Sequence, residues 1–345
     1  MSAVTQTSEQ LLEIDGLEIA FEGRERTLGV RHASLSVAPG EIVGLVGESG
    51  SGKSLTCRAV NRLIPRPGKI TAGSVRLAGR DVVAMSQKEL RELRATTVGM
   101  VFQDPFTALN PTRRIGAQLV EVLRLHLAMS DEAAKARAIE LLSQMDIPDP
   151  ARRFSMYPHE MSGGMRQRVM IALAISTNPS LLIADEPTTA LDVTTQAQIL
   201  KLIMRLRDEV GMAVLFVSHD MGVIAQICDG INVMYGGYIV EAGTASEVLS
   251  HPQHPYTRAL LRAVPSIKNV GTGRRSGIRG RPPERGEVLP GCPFAPRCRF
   301  ATTDCTEVSM DLETIGSGHE TACPKVRFEP DGTPVTQAAT TEVMG

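Results

Sequence analysis

Three short apolar runs punctuate the chain, and each stops at polar or small residues. "EIVGLVGESGSGKS" (41–54) passes from a β-rich run into a glycine loop, and the following "LTCRAVNRLI" has helical character that ends before Pro65. "SLLIADEP" (180–187) and "MAVLFVSHD" (212–220) are two more buried-strand candidates. Strands that alternate with helical segments predict an α/β domain with a largely parallel sheet. Between the first two strands the pattern turns helical, over roughly 110–176. In "RIGAQLVEVLRLHL", Ile115, Leu119, Val122 and Leu123 share one face, and Ser130 is placed to cap a helix through "DEAAKARAIELLSQM". The simplest arrangement is a helical subdomain inserted into the sheet domain. After residue 250 the pattern changes again: "HPQHPYTRALLRAVP" leads into "GTGRRSGIRGRPPERGE", which reads as a linker.

Composition narrows the class. The 345 residues suffice for one large domain plus a smaller one, with 42% hydrophobic and 22% charged residues and few aromatics. A net charge of −1 argues against a surface built for nucleic acid. The arginine-rich linker has no interleaved aromatics for base stacking, which favours a solvated connector over an RNA or membrane contact. The polar start "MSAVTQTSEQ" does not resemble a secretory signal, and no apolar run approaches the roughly eighteen residues of a membrane span, so a cytoplasmic location is expected.

The chemistry concentrates at the strand ends. "GESGSGKS" (47–54) fits G-x-x-x-x-G-K-[ST] and lies between strand and helix. Gly47, Gly50 and Gly52 allow a tight turn whose N–H groups, with those of Glu48, Ser49 and Ser51, point at phosphate oxygens. Lys53 is expected to reach the β- and γ-phosphates, and the Ser54 hydroxyl to ligate Mg²⁺. In "LLIADEP", Asp185 ends an apolar run where a carboxylate can hold the metal, and Glu186 is placed to polarise a water. Gln103 offers a neutral amide for Mg²⁺ and water, and His219 follows a strand within reach of a γ-phosphate. Ser162 is a candidate N-cap with Gly163 and Gly164 beside it, a second anion site.

Taken in order, the glycine loop, Gln103, the "SGG" segment, "LLIADEP", "ALD" (190–192) and His219 resemble the ATPase subunit of ATP-binding cassette (ABC) transporters over roughly residues 11–250. The resemblance implies a P-loop NTPase fold with the helical subdomain at about 104–176. It also implies a dimer in which Ser162, Gly163 and Gly164 close on the nucleotide of a second ATPase subunit, a related chain or a second copy. Asp192 would belong to the loop that couples the two sites, and Phe21 is a candidate for stacking on adenine. Met161, Met165 and Leu55 depart from the commonest form of these motifs without removing a residue that the chemistry requires. "HPQHPYTRALLRAVP", "GCPFAPRCRFA" and "QDPFTALNP" resemble the subgroup serving peptide and nickel uptake. That implies ATP hydrolysis coupled to solute import at the cytoplasmic face of the membrane, with two transmembrane permeases and an extracytoplasmic solute-binding protein. Dipeptides, oligopeptides, glutathione and nickel are all substrates compatible with the subgroup. The competing reading is a soluble ABC ATPase acting on nucleic acid or ribosomes.

Four of the six cysteines fall in the last 54 residues: Cys292, Cys298, Cys305 and Cys323, spaced C-x5-C-x6-C-x17-C. In a cytosolic chain, clustered thiols point to metal ligation more readily than to disulfides. The gaps fit a zinc ribbon poorly, with His319 as a possible substitute ligand, and four thiolates also suit an iron–sulfur cluster. The subgroup resemblance implies a [4Fe–4S] cluster, with zinc as the alternative and a structural role in pinning a small extension (251–330). The end of the chain, 331–345, is expected to be disordered.

Overall fold

A computed structural model describes residues 10–23, 26–104, 108–189, 191–263, 278–284, 286–316, 318–329 and 333–336. Ala190 of the "ALD" segment, residues 271–277 and 285 of the arginine-rich linker, and residues 337–345 lie outside them.

The three apolar runs form β3 (Ile42–Val46), β7 (Leu181–Asp185) and β8 (Ala213–Ser218), as the sequence predicts. With β6 (Val98–Val101) and β9 (Gly230–Tyr235) they make the parallel core of an eight-stranded sheet. Both faces of these strands are covered, which is why they read as unbroken apolar runs and not as alternating ones. On one face Ile42, Val46, Leu182, Ala184, Val214 and Phe216 pack with the helical region. On the other, Val43, Leu45, Leu181, Ile183, Leu215 and Val217 meet a second, antiparallel sheet. That sheet, in the order β2-β1-β4-β5, comprises β1 (Leu12–Phe21), β2 (Thr27–Val37), β4 (Gly68–Leu77) and β5 (Arg80–Asp81), and no sequence motif announced it.

The insertion consists of helices Ile115–Leu127, Asp131–Gln144, Pro150–Phe154 and Gly163–Ile175. Ile115, Leu119 and Leu123 bury the predicted face, and Ser130 caps the second helix by accepting from Ala133 N at 3.3 Å. Val122, expected on the same face, is only half-buried.

Register fixes where the chemistry falls. Val46 pairs with Ser218 and Asp185 with Val217, so the ends of β3, β7 and β8 lie side by side at one edge. The chain leaves that edge as the glycine loop, as Glu186 and as His219, the placement expected of ligand sites in open parallel sheets.

The C-terminal extension is less separate than its sequence implies. β10 (Tyr238–Thr244) pairs with β12 (Glu320–Thr321), and β11 (Glu313–Thr314) pairs with β12, so the extension continues the main sheet. This covers an edge of β10 that would otherwise present unpaired backbone groups. Glu241, fully buried on β10, accepts from Gln253 N at 2.6 Å, His254 N at 2.8 Å and His319 Nε2 at 2.8 Å. His319 is therefore held by a carboxyl group and does not serve the cysteines. Within the end expected to be disordered, β14 (Pro334–Thr336) pairs with β13 (Val326–Phe328), while residues 331–332 and 337–345 lie outside those described.

Candidate functional site

The loop 47–54 bends as its glycines require. A Cβ at Gly47 would lie 2.1 Å from the Met234 carbonyl oxygen, and Gly52 has φ +113°, so both positions demand glycine. Ser49 and Gly50 are exposed at the tip, while Ser51 and Lys53 are buried. The Lys53 ammonium donates to the carbonyl oxygens of Gly47 at 2.7 Å and Glu48 at 2.9 Å. Burial lowers its pKa, and the nearby carboxylates of Glu186 and Asp185 act in the opposite direction. The helix Lys53–Val60 begins inside the motif, which brings its N-terminus to the loop.

Across the strand edge, Ser54 Oγ donates to Asp185 Oδ1 at 2.9 Å. Burial raises the Asp185 pKa, opposed by that hydrogen bond. Hydroxyl, carboxylate and the nearby Gln103 amide form a hard oxygen set of the kind that suits Mg²⁺, and a buried carboxylate is stabilised by a cation. Glu186 follows with φ +49°, an unusual conformation for a residue with a long side chain. Its Oε2 accepts from Thr189 Oγ1 at 2.9 Å and Gln103 Nε2 at 3.0 Å, and lies 3.2 Å from His219 Nδ1. Glu186 is largely buried and His219 more than half exposed, at 12% and 56% of side-chain surface. Gln103, Thr189 and His219, scattered over more than a hundred residues, thus converge on one oxygen of Glu186. Thr189 was missed by the sequence reading, although its place three residues after Glu186 is a local signal.

Ser49 to Ser54, Gln103 and Glu186 line a cleft of about 470 Å³. Phe21 lines the same cleft and also packs on the antiparallel-sheet core, so its stacking and core readings are both compatible with its position. The extension supplies another wall: Pro283, Glu284, Gly286 and Glu287 line the same cleft, and Arg31 donates to Glu287 O at 2.8 Å. This part of the expected linker is a wall of the site, tied down across 256 residues of sequence. Glu48 also departs from expectation. Its backbone remains in the loop, but its carboxylate turns to Arg297.

Ser162, Gly163, Gly164 and Asp192 line no part of this cleft. Ser162 caps the helix Gly163–Ile175 through Met165 N at 3.3 Å, as the sequence predicts. Gly164 lies against Thr195, where a Cβ would meet Cγ2 at 2.6 Å. Asp192 caps the helix Val193–Val210, accepting from Thr195 N at 2.9 Å and Thr195 Oγ1 at 2.7 Å, and these bonds lower its pKa. The segment expected as a second anion site therefore lies outside this cleft.

Cys292, Cys298, Cys305 and Cys323 line one apolar cavity with Phe294, Phe300, Ala322 and Val326, and none is in a disulfide. Cys292 N donates to Cys305 O at 2.8 Å, clasping the two ends of the first loop. Backbone amides face the sulfurs: Phe300 N lies 3.4 Å from Cys298 Sγ and Thr302 N 3.5 Å from Cys305 Sγ. Burial pushes the Cys292 thiol up to about 12 and Cys298 up to about 11, and raises Cys323. The four thiols are thus gathered in one pocket that disfavours bare thiolates, with backbone amides turned toward sulfurs. Among the described residues, no group of three or more His, Cys, Asp or Glu side chains could hold a single metal ion. The arrangement of the four cysteines therefore shows neither a zinc site nor an iron–sulfur site.

Comparison with known proteins agrees with this geometry. The ABC transporter family matches residues 30–189, and the C-terminal region of oligopeptide/dipeptide transporters matches residues 240–305. A probable peptide ABC transporter ATP-binding protein of Sinorhizobium fredii is 45% identical over 92% of this chain and 95% of its own length. A probable D,D-dipeptide transport ATP-binding protein of Escherichia coli is 47% identical over 92% and 97%. Among solved structures, a dimeric post-hydrolysis state of the ATP-binding cassette MJ0796 bound to ADP and Pi superposes with a TM-score of 0.62. It is 29% identical and covers 68% of this chain and 98% of its own. The chain belongs to the ABC transporter family and is an ATPase subunit of its peptide-transport branch.

Proposed function

We propose that this chain powers the import of di- or oligopeptides by hydrolysing ATP beneath two transmembrane permeases. The observation that carries the reading is the convergence of Gln103, Thr189 and His219 on the Glu186 carboxylate, beside the partly buried Ser54–Asp185 pair and the glycine loop. The loop amides and Lys53 hold the triphosphate. Ser54, Asp185 and Gln103 would hold Mg²⁺, which when bound neutralises charge on the β- and γ-phosphate oxygens. Glu186 takes a proton from the attacking water, and its three partners fix the carboxylate in the orientation this requires. His219 donates to the γ-phosphate.

Ser162, Gly163, Gly164 and Asp192 stand apart from the chain's own cleft, which supports their acting on the nucleotide of a second ATPase subunit, a related chain or another copy. No helix among the described residues is long and apolar enough to cross a membrane, consistent with peripheral attachment at the cytoplasmic face by way of separate permeases. An extracytoplasmic binding protein would select the solute. The four cysteines would hold a [4Fe–4S] cluster, cross-linking residues 292–323, most of which are exposed or half-exposed.

Reconstitution tests the reading: co-purified with its permeases in vesicles, the chain should drive ATP-dependent peptide accumulation that Glu186→Gln abolishes. Association with ribosomes or nucleic acid in place of two multi-spanning proteins would instead favour the soluble ABC ATPase. Uptake of nickel or glutathione without peptide uptake would reassign the solute.

A further inference from the structure

We infer that Arg297 is a positioning residue for ATP: its guanidinium neutralises Glu48 of the phosphate loop and keeps that carboxylate from opposing the triphosphate. The inference rests on the reading of loop 47–54 as an ATP site.

The loop contains an acid where a polyanion must bind. Glu48 follows Gly47 directly, and its own carbonyl oxygen accepts from the Lys53 ammonium at 2.9 Å. Its carboxylate is also close enough to act on the Lys53 charge. An unpaired carboxylate there would repel phosphate and compete for Lys53, with little solvent to screen it.

The compensating charge comes from 249 residues away. Arg297 meets Glu48 in a two-pronged contact, Nη1 to Oε2 at 2.5 Å and Nη2 to Oε1 at 3.1 Å, the geometry that makes arginine–carboxylate pairs strong. Arg297 is 4% exposed and Glu48 26%, so the pair is sheltered. Nη1 also donates to Tyr235 Oη at 3.1 Å, and Nε donates to Arg279 O at 2.8 Å. The guanidinium is thus held in one orientation. Burial acts against its charge, and the hydrogen bonds to Glu48 and Tyr235 outweigh that, raising its pKa.

The main chain of Glu48 is held from the same side, its N–H donating to Tyr256 Oη at 2.9 Å. Phe294 packs edge-on against Tyr235 and Tyr256, with ring centroids 5.3 and 5.4 Å apart, and the turn Ala295–Arg297 follows it directly. Cys292 and Cys298 flank that turn, since Ala295 N donates to Cys292 O at 3.0 Å and Cys298 N to Ala295 O at 3.2 Å. The cysteine-bearing segment therefore presents Arg297 to the phosphate loop.

A brace that only stabilises the fold and a charge that sets nucleotide affinity are separated by rescue. The experiment titrates the full-length chain with Mg·ATP by calorimetry, comparing wild type, Arg297→Gln, Glu48→Gln and the double variant. Arg297→Gln is expected to weaken ATP binding about tenfold by exposing the Glu48 charge. Glu48→Gln in the same chain is expected to restore affinity to within about twofold of wild type, because no uncompensated charge remains. Unchanged affinity in Arg297→Gln, or a double variant as weak as the single, would overturn the inference. Should Arg297→Gln fail to fold, Glu48→Gln alone decides: a free guanidinium beside the loop should tighten ATP binding, and weaker binding would overturn the proposal. Failure of the wild-type chain to bind ATP would instead remove the nucleotide-site reading itself.

Discussion

Ser54 Oγ and Asp185 Oδ1 lie 2.9 Å apart although 131 residues separate them in sequence. The contact joins the helix after the phosphate loop to the end of β7 and defines a partly buried oxygen pair suited to a hard cation. Asp185→Asn should weaken Mg·ATP binding at least about tenfold while leaving metal-free nucleotide binding within about twofold. Titrations with and without Mg²⁺ check this, and equal losses in both would contradict the assignment.

The backbone at Gly47 leaves no room for a side chain, since a Cβ would stand 2.1 Å from the carbonyl oxygen of Met234. Gly47→Ala must displace either the loop or β9, at a cost of about 1–3 kcal/mol. The expected result is a lower melting temperature together with impaired ATP binding. Unaltered melting and binding would mean that the loop is not pinned against β9.

The carboxyl group of Glu241 joins three chain segments through Gln253 N, His254 N and His319 Nε2. Glu241→Ala strands those donors in a buried setting and should destabilise the protein by about 3 kcal/mol. Hydrogen exchange should show lost protection around residues 251–263 and 319–322 before the parallel sheet opens. Uniform loss across the sheet would contradict an anchoring role.

The thiols offer a chemical prediction. Protein purified without oxygen should contain about four iron and four sulfide per chain with a visible absorption band, and Cys298→Ser should lose them. Zinc, or no metal, would reject the cluster while leaving the nucleotide site intact, because that site uses other residues.

How much of this was legible depended on how local each signal is. The glycine loop, Asp185 with Glu186, and the Ser130 and Ser162 caps are written in contiguous residues, and the strand ends that carry them follow apolar runs buried on both faces. Gln103 and His219 became specific only through the order of motifs. Pairings such as Arg297 with Glu48, Arg31 with the Glu287 carbonyl, and His319 with Glu241 span 249, 256 and 78 residues and leave no periodic trace. Glu48 read only as a phosphate-loop residue and residues 283–287 as linker because their partners are set by the tertiary fold. The antiparallel sheet escaped notice for a related reason. Register shifts at Leu17 and Ile19 interrupt the alternation of β1 that would have marked it as a half-buried strand.

The most direct test of the account is hydrolysis by Glu186→Gln under single-turnover conditions, with ATP binding measured on the same preparation. In the proposed mechanism Glu186 activates water, and its carboxylate is held by Gln103, Thr189 and His219. The account predicts that the variant binds Mg·ATP within about threefold of wild type but cleaves it at least about a hundredfold more slowly. Hydrolysis at the wild-type rate would contradict the role given to Glu186, and with it the reading of this strand edge as the catalytic centre.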